Sequence, residues 1–153
     1  MFTGWPIQDR NGPDVPNWTM ISPDKQIPCA GLIVQWRYQA KASHPFQAVI
    51  WRSVANSATQ FTVVGINEIP VGAINQPVAY LVPENERITV QPGDVLGWSF
   101  ADGVLAVNGG GSDVIRWIDV YLHDTLTDNV KVDFNVYTPG NRQYSIKATV
   151  KCV

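Results

Sequence analysis

Apolar and polar residues alternate with a period of two along much of this 153-residue chain, and that rhythm admits few architectures. In 32–39, Leu32, Val34, Trp36 and Tyr38 alternate with Ile33, Gln35, Arg37 and Gln39. In 130–137, Val130, Val132, Phe134 and Val136 point one way, and Lys131, Asp133 and Asn135 the other. Successive side chains of a strand face opposite sides, so each pattern predicts a strand with one buried and one solvated face. No window sustains the i, i+3, i+4, i+7 apolar spacing of an amphipathic helix over three turns.

About ten such segments follow one another at spacings of roughly 8–13 residues. They include "NWTMIS", "FQAVIWRS", "TQFTVVGI", "PVAYLV", "DVLGWSF", "GVLAV" and "YSIKATVKC". Strong turn signals separate them: "VPENER", "QPGD", "ADG", "NGGGSD", "HDTLTDN" and "TPGN". The chain also holds twenty Val and twelve Ile against six Leu, and β-branched side chains favour pleated surfaces over helices. The expected fold is all-β, an antiparallel two-sheet β-sandwich. Long strands at both chain ends favour jelly-roll topology over an immunoglobulin-like one, whose Cys…Trp…Cys spacing is absent. Five prolines fall in 1–28, so 1–16 reads as a Pro-rich N-terminal arm, wrapped or loose, ahead of a single sandwich domain over 17–153.

Charged residues make up only 16% of the chain, below the usual ~25%, which points to extensive buried surface. The net charge of −2 comes without a Lys or Arg cluster, so nucleic-acid binding through phosphate neutralisation is not expected. Apolar runs such as "GLIV" and "FTVVGI" fall far short of the ~20 residues that span a bilayer, so no membrane insertion is expected. The start "MFTGWPIQDRNGPD" has no charged n-region followed by an apolar h-region; a secretory signal is expected to lie outside this chain.

Cys29 and Cys152 are the two cysteines. Alternation in "YSIKATVKC" puts Cys152 on an apolar face with Ile146, Ala148 and Val150. Pairing of the first and last long strands would bring Cys29 to it as a disulfide; two buried free thiols are the alternative. The sequon Asn17-Trp18-Thr19 makes Asn17 a glycosylation candidate and adds weight towards secretion.

Six tryptophans are many for this length. Trp5 and Trp18 lie in the Pro-rich segment and Trp51 sits on a mixed face, so these three are the candidates for exposed rings that stack on sugars. The triple-Gly stretch adds Asn108 and Asp113 as ligand-contacting residues of a loop tip. Asp113, Asp124 and Asp128, with Asn108 and Asn129, are hard oxygen donors suited to calcium, although D-x-D-x-D-G spacing is missing. Apart from calcium, no cofactor is implied.

Asp94 in "QPGD" reads as a turn residue that caps a neighbouring amide; metal or sugar binding is the other reading. Gly97, mid-strand, predicts a bulge or a close approach by other atoms. No residues are assigned to catalysis. There is no G-x-S-x-G, no H-E-x-x-H and no Cys-His pairing, and Glu68, Glu84 and Glu86 sit at a strand end and in a turn.

With "IVQWRYQA", "QAVIWRS" and "QPGDVLGW", residues 17–153 resemble the jelly-roll modules of secreted lectins and carbohydrate-binding modules. That resemblance implies a non-catalytic extracellular module that binds a glycan or another extracellular protein. A self-assembling structural subunit, joined by sheet edges or by the arm into an oligomer or filament, is the alternative. A polysaccharide hydrolase is the second.

Overall fold

A computed structural model of the chain describes residues 1–14, 16–122, 125–135 and 140–153. Two antiparallel sheets pack face to face as a β-sandwich, as the alternation predicts. In chain order the strands are β1 (Phe2–Gly4), β2 (Trp18–Gln26), β3 (Gly31–Gln39), β4 (Phe46–Ser53), β5 (Gln60–Ile69) and β6 (Pro77–Leu81). They continue with β7 (Thr89–Val90), β8 (Val95–Phe100), β9 (Val107–Ile118), β10 (Lys131–Asp133), β11 (Gly140–Tyr144) and β12 (Ile146–Cys152). The smaller sheet runs β1-β12-β3, with β6 and β7 both pairing on the free side of β3. The larger sheet runs β10-β5-β4-β8-β2-β9-β11.

The core between the sheets holds Trp36 and Tyr38 of β3, Leu96, Trp98 and Phe100 of β8, and Phe46 of β4, all nearly free of solvent. Period-2 alternation then sends Val49 and Trp51 of β4, and Val95 of β8, to the opposite face of the larger sheet. That face is buried as well. Leu126 and Phe134, from the segment between β9 and β11, cover it, and Phe134 meets Trp51 edge-on at 5.2 Å. The expected exposed ring at Trp51 is therefore corrected to a fully buried one, because a distant segment folds over its face. Gly97 lies where an added Cβ would meet Trp51 Nε1 at 2.4 Å and the Met20 carbonyl oxygen at 2.5 Å, which is the close approach its position predicts.

Several segments depart from the reading of the sequence. "NGGGSD" is not a turn between strands but part of β9. Asn141 and Arg142, consecutive on β11, pair with Val114 and Gly109, so residues 110–113 bulge out, with Gly110 and Gly111 at φ of +88° and +89°. "GVLAV" contributes only the isolated bridge Ala40–Leu105 and the start of β9. The strand expected over 130–137 is the short β10; Phe134 is buried as expected, and Val136 lies outside the described residues.

Cys29 and Cys152 form a disulfide with a Cα–Cα distance of 5.8 Å. β12 pairs with β3 so that Cys152 lies opposite Gly31, two residues after Cys29. Cys152 itself is exposed at the strand end, not on the apolar face with Ile146, Ala148 and Val150. No helix of the described residues is long and apolar enough to cross a membrane.

Candidate functional site

The two sides of the sandwich are finished differently. On one side, residues 1–14 close the gap between the sheets. β1 pairs with β12, and Trp5 inserts against Trp98 and Tyr144 at centroid distances of 6.0 and 5.9 Å. The Trp5 indole N–H donates to Asp113 at 2.9 Å, and Lys25 pairs with the same carboxylate at 3.2 Å. Arg10, buried, donates to Ser145 Oγ, Gln143 Oε1 and the Pro6 carbonyl. Asn108 Oδ1 accepts from the Asn11 amide at 2.9 Å. Asp14 takes hydrogen bonds from Arg142 and Tyr144. Burial raises the Asp14 carboxyl above its usual pKa, against the lowering effect of those two partners.

The arm is thus wrapped, and the residues read as ligand contacts are what fasten it. Trp5 is buried, and Asn108 and Asp113 bind the arm itself. Trp18, half-buried, stacks on Trp117 at 5.7 Å, and the Arg142 guanidinium lies over both rings at 5.2 and 5.8 Å. An incoming sugar ring would share that stack with a cation of the protein. The exposed rings expected at Trp5 and Trp51 are absent because the core needs both indoles. Asn17 is exposed, whereas the Thr19 hydroxyl of its sequon is buried against Ser99 and the Val120 carbonyl.

Of the calcium candidates, Asp113 and Asp128 do not come together. Asp113 faces the arm, Asp128 lies on the other side of the sandwich, and Asp124 lies outside the described residues. Among the described residues no three His, Cys, Asp or Glu side chains form a group that could hold a metal ion.

The opposite side of the sandwich stays open. There β5 of the larger sheet faces β7 and a single 3-10 turn, Glu84–Glu86, that follows β6. A cavity of about 590 Å³ lies between them. Val64, Ile66 and Ile88 contribute aliphatic surface, and Glu68, Glu86 and Arg87 are among its polar lining. Asn85, Thr89 and Asp128 line it too. A second cavity of about 350 Å³ shares Val64 and Thr89 with the first and reaches Arg52, Thr62, Gln91 and Asn129. The two read as one polar trough along the open edge.

Two features shape the trough. At Gly65 an added Cβ would sit 2.6 Å from Ile88, so only glycine lets the two walls meet that closely. Asn67, buried on β5, accepts from the Trp36 indole N–H at 2.8 Å and donates to the Glu86 carbonyl at 2.9 Å. One amide side chain thereby joins the two sheets and sets the position of the turn that carries Asn85, Glu86 and Arg87. Asn67→Ala strands a buried indole N–H and a carbonyl, and the expected cost is about 2–3 kcal/mol, measured by denaturant unfolding. Glu68 accepts from Gln47 Nε2 at 2.7 Å.

Asp94 is not part of this lining. Its carboxylate is buried, receives Arg52 in a two-pronged pair at 2.7 and 2.8 Å, and caps the Gln91 amide at 2.9 Å. The turn reading of Asp94 stands, with a cation partner that its local sequence does not announce. Arg52 in turn is held protonated more firmly by its hydrogen bond to Asp94.

Comparison with family models, with curated proteins and with solved structures returns no match to this chain.

Proposed function

We propose that this chain is a non-catalytic binding module of extracellular type whose trough takes a glycan. The observation that carries the reading is the composition of that trough. Its volume lies within the range of ligand sites, ~300–1,000 Å³. Carboxylates of Glu68 and Glu86 accept hydrogen bonds, Arg87 donates them, and Asn85 does both. Sugar hydroxyls need that mixture, while Val64, Ile66 and Ile88 suit the C–H face of a sugar ring. The resemblance to jelly-roll lectins and carbohydrate-binding modules agrees with this class, and the disulfide is consistent with an oxidising, extracellular compartment.

The hydrolase reading shares the same trough, because Glu68 and Glu86 both line it. Self-assembly through sheet edges has less in its favour. The outermost strands β1, β6, β7, β10 and β11 have 3, 5, 2, 3 and 5 residues, and short edges resist edge-to-edge pairing.

A glycan array probed with the disulfide-intact protein tests the proposal. Binding to a defined class of neutral or amino glycans is expected, with Arg87→Ala and Glu86→Gln each weakening it about tenfold or more, the loss of one well-placed hydrogen bond to a charged group. An empty array at high protein concentration, with a mass that grows with concentration, would replace this reading by the structural subunit. Turnover of any polysaccharide would replace it by the hydrolase.

A further inference from the structure

A second surface has chemistry of its own. Among the described residues no buried cluster forms on the outer face of the smaller sheet, and the strands that build it, β1, β3, β6, β7 and β12, contain no Asp or Glu. They do contain Arg37, Lys147 and Lys151. Trp36 and Tyr38 flank Arg37 in the core, and Ile146 and Ala148 flank Lys147, so alternation turns both cations outward. Lys151 follows buried Val150 and points the same way.

The register places Lys147 directly opposite Arg37. Like charges opposed across two strands destabilise a sheet. None of the three cations has an ion pair among the described residues. The other eight Lys and Arg share the remainder of the chain with all thirteen Asp and Glu, so this face is cationic on a molecule of net negative charge.

Between the cationic rows lies a polar one. Thr149 pairs with Gln35, its hydroxyl donating to Gln35 Oε1 at 3.4 Å. Phe2 and Leu81, 61% and 73% exposed, end that row on either edge. Lys147 lies over the Phe2 ring at 5.0 Å. Lys147 and Lys151 are four residues apart on one strand, hence about 13 Å from each other.

We propose that this face binds an acidic polysaccharide, a chain whose sulfate or carboxylate groups are spaced along it and whose hydroxyls lie between them. Such a ligand supplies the counter-charges that the opposed pair lacks. Its hydroxyls meet the Thr149–Gln35 row, and its length suits a flat face better than a pocket does. An anionic bilayer would favour a broader apolar surface than Phe2 and Leu81 at the edges and half-buried Leu32 opposite Lys151 provide. The face meets the trough at Thr89, but none of Arg37, Lys147 and Lys151 lines the trough, so variants of these cations test this proposal independently of the other.

The test uses the whole disulfide-intact chain, immobilised heparin as the sulfated probe, an unsulfated dextran matrix as control, and vesicles with and without phosphatidylserine. Retention on heparin at low salt, release as salt rises, and passage through dextran are expected. Arg37→Gln with Lys147→Gln is expected to weaken binding of a labelled heparin oligosaccharide about tenfold or more, through loss of two charge-assisted contacts. That variant folds, since it removes a repulsion, and its melting temperature should not fall. Arg37→Lys with Lys147→Arg keeps the charge and the retention, and so does Lys131→Gln on β10 of the other sheet. Passage of the wild type through heparin at low salt, or equal binding by the Gln variant, overturns the proposal. Binding to anionic vesicles without binding to heparin overturns it too, and assigns the face to a membrane surface.

Discussion

Replacing Cys29 and Cys152 by serine should lower the midpoint of thermal unfolding by roughly 10–20 °C. The bridge spans a sequence separation of 123 residues, so cutting it releases a large loop into the unfolded ensemble. The chain-entropy account puts that at about 5 kcal/mol, and each kcal/mol is worth about 2–4 °C for a domain of this size. Native pairing does not depend on the bond alone, because β12 is held by β3 on one side and β1 on the other. The double serine variant should therefore still fold with the same β-rich spectrum. Calorimetry of the two proteins decides the matter, and a midpoint within about 3 °C of the wild type would show that the bridge constrains little.

The second large effect is expected at Arg52. Asp94 is 1% exposed, and Arg52 meets its carboxylate in a two-pronged contact. Removing one partner of a buried pair typically costs about 3–5 kcal/mol, because the other charge is left without compensation. Half of the Arg52 side chain reaches solvent, so water replaces part of the lost contact, and about 2–3 kcal/mol is the expected cost of Arg52→Ala. Adding Asp94→Ala should restore part of that loss, since no buried carboxylate then remains unpaired. The Gln91 amide would still lack its cap. Chemical denaturation of the two single variants and the double variant gives the coupling directly. Additive effects would mean that the pair is of no energetic consequence.

Much of this architecture is written locally. Alternation in β12, and in the Leu96-Trp98-Phe100 stripe of β8, carries the two-sheet core, because the pleat leaves each side chain one face to choose. β3 keeps the expected face at Trp36 and Tyr38, but a register shift against β12 breaks the alternation, so Ile33 is buried and Leu32 and Val34, read as its face-mates, are only half-buried. The disulfide forms as one of the two expected alternatives, but by a different pairing: β12 pairs with β3, which follows Cys29, while the first long strand, β2, pairs with β8 and β9. Trp51 is not legible. Its burial depends on Phe134 and Leu126, more than seventy positions away in the chain, and a period of two cannot say whether a second layer will cover the far face of a sheet.

The triple glycine misleads for a different reason. Gly-rich stretches read as turns, yet Gly110 and Gly111 here use left-handed backbone to bulge out of β9, which then resumes its pairing with β11. The trough is hidden because its walls belong to different sheets. Glu68 looks like a strand-end residue and Glu86 like a turn residue. Only the cross-sheet link through Asn67 brings them to one cavity, and a lone Asn in an alternating strand carries no signal of that role.

Amide chemical-shift mapping of the isotope-labelled protein, titrated with the neutral or amino glycan bound most strongly on the array, is the most direct check on where this molecule binds. Shifts concentrated at 64–68, 84–89 and 128–129 are expected, with the arm and the Trp18–Trp117 stack unmoved. Shifts centred on Trp18, Trp117 and Arg142, with the trough silent, would contradict the assignment.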